Sequence, residues 1–399
     1  MVSLALPEQR VSNEGTKLFI EETSDALPAH RLVTWYRSVR RPLPWRETGD
    51  PYAIWVSETM LQQTRVETVI PYYHRFMTAF PTLTDLAAAD EDDVLKLWQG
   101  LGYYSRARNL HQAAKDVVQN HGGGVPAQES ALASLRGVGP YTRGALLSIA
   151  FGQPYPAVDG NVLRVMSRYL ALDSPIETRT VQKAVYDKVR VWMETVPPSD
   201  LTQALMELGA LVCLPRNPQC TACPLQNECL AAEQGRTAEI PVRRPKAPRK
   251  IVDVSALWLE SPDGLWIKQR SREGLLGGLW QLPAVETERP AGVGPTPEEE
   301  LRIVEKLYTQ VATDWVASDR VAERKLEFVL IAQERHIFSH LEWYVRVWRP
   351  LLIEPGPPAI QNGEYAIGSY RCVPRCELDS LAVPRVYERV MQSILNRKG

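Results

Sequence analysis

Along the first half of the chain apolar residues recur every three or four positions, in residues 30–39, 52–63, 91–98 and 181–193, and this period predicts amphipathic helices. Strand-type alternation is almost absent between residues 28 and 212. Turn chemistry interrupts the helical pattern at Gly122-Gly123-Gly124, at Gly137-Val138-Gly139-Pro140 and at Pro197-Pro198. Residues 240–250 (IPVRRPKAPRK) are rich in proline and basic side chains, offer little to a core, and read as an extended linker. Past them the period changes. Residues 252–259, 265–270, 325–332 and 343–348 are short β-rich runs, whereas 298–308 and 386–396 are helical. The pattern therefore predicts an N-terminal extension over 1–27, poorly packed, an all-α domain over 28–234, a linker over 235–250 and an α+β domain over 251–399.

A length of 399 residues fits two or three domains. With 44% hydrophobic and 23% charged residues, the composition excludes large-scale disorder, fibres and a membrane-embedded chain. The opening MVSLALPEQR lacks a basic flank followed by a long apolar run, and no later stretch reaches bilayer length. The expectation is a cytoplasmic protein, nucleoid-associated if bacterial. Because the net charge is -1, any attraction to nucleic acid must come from local patches.

Four of the six cysteines, Cys213, Cys220, Cys223 and Cys229, follow the spacing C-x6-C-x2-C-x5-C, which in a cytosolic chain points to metal before disulfide. Tetrahedral zinc and a 4Fe-4S cluster both suit four thiolates. Cys372 and Cys376 have no thiol or imidazole neighbours that would complete a site and are read as free.

The run Leu135 to Thr142 (LRGVGPYT) is a tight glycine turn between helical segments. Its backbone N–H groups, with the following helix N-terminus, are suited to holding a phosphate. Glu58 is the lone carboxylate of the helix WVSETMLQQT, residues 55–64. Taken with LPWR (43–46), GLGYYSRARN (100–109) and VDGNV (158–162), these segments closely resemble the MutY family of adenine DNA glycosylases, densely over residues 28–230. The resemblance implies an all-α helix-hairpin-helix glycosylase domain whose cysteine loop carries a 4Fe-4S cluster.

It also implies roles. Glu58 matches the general acid that protonates the flipped adenine, expected to be desolvated and protonated. Asp159 matches the carboxylate that stabilises the sugar cation, expected to stay ionised. Tyr141 and Asn161 match positions that support this site. Trp45, Arg46, Leu61 and Gln203 match the adenine pocket, while Gln62, Gln63, Thr64 and Tyr103 match contacts beside the opposing base. Gly137, Val138 and Gly139 match amides that grip DNA phosphates. Tyr141 stands where related endonuclease III-like enzymes hold a Schiff-base lysine, which implies hydrolysis without strand cleavage. Pro140 replaces the basic residue often found beside it.

The C-terminal part resembles, through GLLGGLWQLP (274–283), the Nudix-like fold appended to MutY proteins. Glu298, Glu299, Glu300 and Glu305 do not supply a pyrophosphohydrolase's metal-binding run, so binding without hydrolysis is expected. Phe338, Ser339 and His340 match the family's damage-reading loop. The expected partner is double-stranded DNA with 8-oxoguanine:A or G:A mispairs, engaged by a monomer, with no membrane. Two alternatives stand beside this reading: a bifunctional endonuclease III-like glycosylase/lyase, and a non-catalytic iron-sulfur DNA-binding protein.

Overall fold

The computed structural model describes residues 27–245, 247–290, 293–315, 326–351, 366–367 and 369–396. The predicted extension over 1–27 lies, apart from Leu27, outside them. Helices α1 (Pro28–Val39), α2 (Pro51–Leu61), α3 (Val66–Ala79), α4 (Leu83–Ala88), α5 (Glu91–Trp98), α6 (Ser105–Asn120), α7 (Glu129–Ser134), α8 (Pro140–Ala145), α9 (Gly160–Tyr169), α10 (Arg179–Trp192), α11 (Pro198–Leu211) and α12 (Leu230–Glu233) make up the first part. The second part contains β1 (Lys250–Leu257), β2 (Glu260–Ser261), β3 (Gly264–Gln269), β4 (Trp280–Gln281), β5 (Ala284–Arg289), α13 (Pro297–Trp315), β6 (Phe328–Ile337), β7 (Leu341–Pro350), β8 (Ala366–Ile367), β9 (Tyr370–Val373) and α14 (Arg385–Leu395). Helices and strands thus fall where the two periodicities place them. Among the described residues no helix is long and apolar enough to cross a membrane.

Contacts divide the chain into two compact units, one of residues 1–42 and 143–244, the other of 43–142 and 245–399. In the first, α1, α9, α10 and α11 enclose a core that includes Leu32, Tyr36, Val165, Met166, Val185 and Leu205. Asp159 starts α9 as its N-cap, accepting from the Val162 N–H, a satisfaction of an otherwise orphan helix donor.

In the second unit, α2 is unusual because every residue from Tyr52 to Met60 is buried, so it has no solvent face. Two sheets follow, one ordered β5-β1-β7-β6 and one ordered β2-β3-β9-β8 with β4 on β3. Strands β1 and β7 run parallel, and β6 and β7 form an antiparallel pair in which His336 faces Trp343. Helix α14 lays Val386, Tyr387, Val390 and Met391 into a core shared with Val254, Trp343 and Val345.

The segment read as a linker is anchored at its start. Ile240 is buried, its carbonyl accepts from Arg168 Nε at 2.7 Å, and the Val242 carbonyl accepts from the Ile176 N–H at 3.0 Å. A single isoleucine among prolines and arginines carries no period, which is why pattern reading passed over it. Replacing Ile240 with alanine should cost about 2–4 kcal/mol in chemical unfolding, whereas Val242→Ala, less deeply placed, should cost clearly less.

Candidate active site and nucleic-acid interface

Glu58 sits in the last turns of the all-buried α2, only 5% exposed. Its Oε2 accepts a hydrogen bond from the Tyr141 hydroxyl at 2.5 Å. Tyr141 is delivered by α8, immediately after the glycine turn. At that turn Gly137 has φ +79°, and a Cβ there would come within 2.6 Å of Asn109 Cβ, so no other residue fits without displacing α6. The Val138 N–H closes the turn onto the Leu135 carbonyl at 3.2 Å and its side chain is buried. The Val138 amide thus has a partner within the turn, and the exposed Gly137 and Gly139 flank it.

The residues matched to the opposing base lie where α2 ends. Gln62 donates to Thr142 Oγ1 at 3.1 Å. Gln63 (φ 57°) and Tyr103 (φ 49°) are both exposed non-glycine residues in the left-handed region, a conformation that costs on the order of 1 kcal/mol each and persists only where surroundings impose it.

Arg106 imposes it. Only 8% exposed, its guanidinium donates from Nη1 to the carbonyls of Thr59 (3.0 Å), Met60 (2.8 Å) and Gln62 (2.5 Å). From Nη2 it reaches Thr64 Oγ1 (3.2 Å) and the Gly102 carbonyl (3.0 Å). It also lies against the Trp98 and Tyr103 rings, both 5.4 Å away. Burial lowers its pKa to about 10, which still leaves it charged at neutral pH. Sequence reasoning assigned this residue no role, since carbonyl acceptors leave no mark in a sequence.

Trp45 is buried with its ring edge-on to Tyr73, 5.4 Å between centroids, while Arg46 and Leu61 are half-buried. In the other unit Gln203 accepts from the Tyr36 hydroxyl at 3.0 Å and donates to Ser199.

Asp159 is held at both oxygens. Oδ1 accepts from the Val162 N–H (2.7 Å) and Oδ2 from the Asn161 amide (2.8 Å). Asn161 in turn accepts from Arg164 Nη2 at 2.8 Å, and Arg164 Nε donates to the Cys213 carbonyl at 2.8 Å. Helix α11 closes on this chain so tightly that a Cβ on Gly209 would lie 2.6 Å from Asn161 Cβ. Burial pushes the Asp159 carboxyl upward; the Val162 and Asn161 donors and the Arg164 charge only partly oppose it.

Cys213, Cys220, Cys223 and Cys229 line one small cavity together with Arg168, whose Nη1 donates to Cys213 Sγ at 3.2 Å. Burial raises the Cys223 thiol to about 11 and raises Cys229 as well, with neighbouring thiols adding to the effect. Four thiols crowded into a dry site are a poor place for unpaired anions and a good one for a cationic group. Among the described residues no three His, Cys, Asp or Glu side chains close around a point as ligands of a single ion would. All six cysteines are free of disulfides.

In the C-terminal part of the second unit, Phe338, Ser339 and His340 form the turn between β6 and β7, closed by the Phe338 N–H on the Leu341 carbonyl at 2.9 Å. Ser339 Oγ accepts from the Tyr103 hydroxyl at 3.2 Å, and both residues line a cavity of about 400 Å³ with His336, Phe338 and Arg385. At α13, Glu299 caps its own helix by accepting from the Thr296 N–H at 2.8 Å, and Glu300 pairs with Arg346 at 2.9 Å.

Residues 56–190 match the family described as HhH-GPD superfamily base excision DNA repair protein, and residues 255–393 match the NUDIX domain. The adenine DNA glycosylase of Rattus norvegicus is 36% identical over 383 residues, covering 82% of this chain and 71% of that protein. Its counterpart in Mus musculus is 34% identical over 421 aligned positions, covering 92% and 79% respectively. The chain belongs to the MutY family of adenine DNA glycosylases. It is a DNA glycosylase of base excision repair, with a helix-hairpin-helix domain followed by a Nudix-like domain. A solved thermostable thymine-DNA glycosylase is 29% identical, with a TM-score of 0.48, over 52% of this chain and 95% of that one.

Two outcomes follow for this MutY-family chain. Arg106→Met would leave the carbonyls at the end of α2 and in the tyrosine loop, residues 99–104 between α5 and α6, without their donor, and should lower the unfolding free energy by about 3–5 kcal/mol. Asp159 has a native carboxyl pKa above its unfolded one, so its ionisation penalises the folded state as pH rises through the ordinary aspartate range and beyond. Measured by denaturant unfolding, Asp159→Asn should therefore gain stability relative to the parent between acid and neutral pH, and a flat difference would contradict this.

Proposed function

We propose that this glycosylase hydrolyses the N-glycosidic bond of adenine mispaired with 8-oxoguanine or guanine, using Glu58 as general acid and Asp159 as the counter-charge to the sugar cation. The observation that carries this reading is the buried Glu58 carboxyl accepting from the phenol of Tyr141. With Oε2 taken as acceptor, the acidic proton of a neutral Glu58 resides on Oε1, from which it passes to a ring nitrogen of the flipped adenine. The bond electrons then leave with a neutral base instead of an anion. The sugar keeps the positive charge, and Asp159, fixed by the Asn161 and Val162 donors before the reaction begins, stabilises it without reorganisation. A desolvated carboxylate with a raised pKa interacts more strongly with an arriving cation than a hydrated one would. The Glu58 carboxylate takes a proton from the attacking water, which restores the acid and leaves an abasic site.

A phenol at residue 141 cannot form the Schiff base of a lyase, which supports a monofunctional hydrolase over the endonuclease III-like alternative. A buried Glu58 and a half-buried Asp159, each with dedicated hydrogen-bond donors, argue against an idle DNA-binding protein. Extrusion of the base is supported by exposed Gln63 and Tyr103 at the end of α2 and in the tyrosine loop, with Trp45, Arg46 and Leu61 of the same unit as proposed adenine-binding residues. Ser339 and the turn around it are suited to the N7 hydrogen and C8 oxygen that distinguish 8-oxoguanine from guanine. The guanidinium on Glu300 and the cap made by Glu299 commit acidic side chains of α13 to the fold, in keeping with recognition rather than hydrolysis by the Nudix-like domain.

Cys213, Cys220, Cys223 and Cys229, which line one small cavity, would hold a 4Fe-4S cluster through their thiolates, the cofactor that membership of this family supports. When bound, such a cluster supplies positive charge to the thiolates and stiffens the loop 213–229; no step of the hydrolysis passes through it. The enzyme is proposed to act as a monomer on duplex DNA.

The experiment that tests the assignment is single-turnover excision by Glu58→Gln. The rate should fall at least 10³-fold with DNA affinity nearly unchanged; excision at the parent rate would refute the general-acid role. Purified protein should contain iron and absorb broadly in the visible, and zinc in its place would remove the cluster.

A further inference from the structure

The turn that carries Ser339 is held twice. Its backbone is fixed by the Lys250 N–H on the His340 carbonyl (3.1 Å) and by Arg249 Nε on the Phe338 carbonyl (3.2 Å). Its Phe338 ring is fixed separately. One face meets Trp343 edge-on at 5.1 Å, and Trp343 is fully buried against the α14 residue Tyr387. The other contact is His336, 4.5 Å away and also edge-on.

His336 is itself placed by a residue distant in sequence. Arg389 of α14 donates from Nη2 to His336 Nδ1 at 3.2 Å, and the same nitrogen pairs with Glu334 Oε1 at 2.8 Å. Glu334 and His336 are two residues apart on β6 and so project to the same face of the sheet, where the guanidinium bridges them. A guanidinium has no acceptor, so this contact requires Nδ1 to be the unprotonated ring nitrogen and leaves the proton on Nε2. Burial, together with the Arg389 and Arg385 charges, lowers the His336 pKa, against a weaker opposing pull from Glu334.

We propose that Arg389, acting through His336, is a positioning residue for base discrimination: it fixes the imidazole, the imidazole fixes the Phe338 ring, and the ring sets where Ser339 meets the base opposite adenine. This inference rests on the reading of the Phe338–His340 turn as the damage reader. A reader that tells a hydrogen on N7 from a lone pair must be placed to within a fraction of an ångström, and an exposed turn does not hold such a position without lateral support.

The test is a double-mutant cycle on the full chain, reading the ratio of single-turnover adenine release from 8-oxoguanine:A and G:A duplexes. Arg389→Ala should lower the ratio about tenfold, the scale of one lost charge-assisted hydrogen bond. His336→Phe, which keeps a ring but removes the acceptor, should lower it comparably, and the double variant should be no worse than either single one. Arg389→Lys, which keeps charge beside Glu334 but not the planar fork, should shift the ratio in the same direction and serves if the alanine variant loses its thermal transition. An unchanged ratio, or losses that simply add, would overturn the proposal. Ser339→Ala in the same assay separates two failures: if it lowers the ratio while Arg389→Ala does not, the latch is wrong and the damage reader stands. If neither lowers it, the turn is not the reader and the inference falls with it.

Discussion

A charge buried beneath a helix can stay there only if the backbone turns to meet it, and Arg106 sets that condition for the catalytic unit. Its guanidinium draws together the carbonyls at the end of α2 and those of the tyrosine loop. The helical part's proposed contacts to the opposing base hang from those two segments: Gln62, Gln63 and Thr64 on one, Tyr103 on the other. The left-handed backbone at Gln63 and Tyr103 is sustained by this convergence, for neither residue would choose it in a free loop. Were the guanidinium lost, these carbonyls would lose the donor they share.

The same device recurs at the second carboxylate. Arg164 holds Asn161, which in turn donates to Asp159, and it also reaches the carbonyl of Cys213. Position and charge are thus separated. The aspartate keeps a dry surrounding that raises its energy as an anion, while neutral donors keep it in place. Glu58 receives the complementary arrangement, a buried carboxyl with one oxygen committed to a phenol. Two carboxyls of similar intrinsic acidity acquire different work from different neighbours.

Much of this was legible in the chain. The change of period near residue 250 separated helices from strands because burial on one face of a helix and on one face of a sheet leave different spacings. Glu58, Asp159 and the four cysteines lie in contiguous segments, so the resemblance of those segments to the MutY family was enough to single them out. What escaped reading has a common cause: the contact is between residues far apart, or it is made to backbone. Arg106 serves carbonyls, Ile240 is a lone apolar residue in a polar stretch, and Arg389 meets His336 from an element 53 residues away.

The central claim is that a buried acid and a tyrosine in the lysine's place perform hydrolysis alone. Single-turnover reaction on a duplex with one 8-oxoguanine:A pair tests it most directly, when free adenine and strand breaks are followed in the same samples with and without alkali. The account predicts adenine release at the full rate with strand breaks only after alkali treatment. Breaks that keep pace with adenine release before any alkali, trapped as a covalent adduct by borohydride, would contradict it.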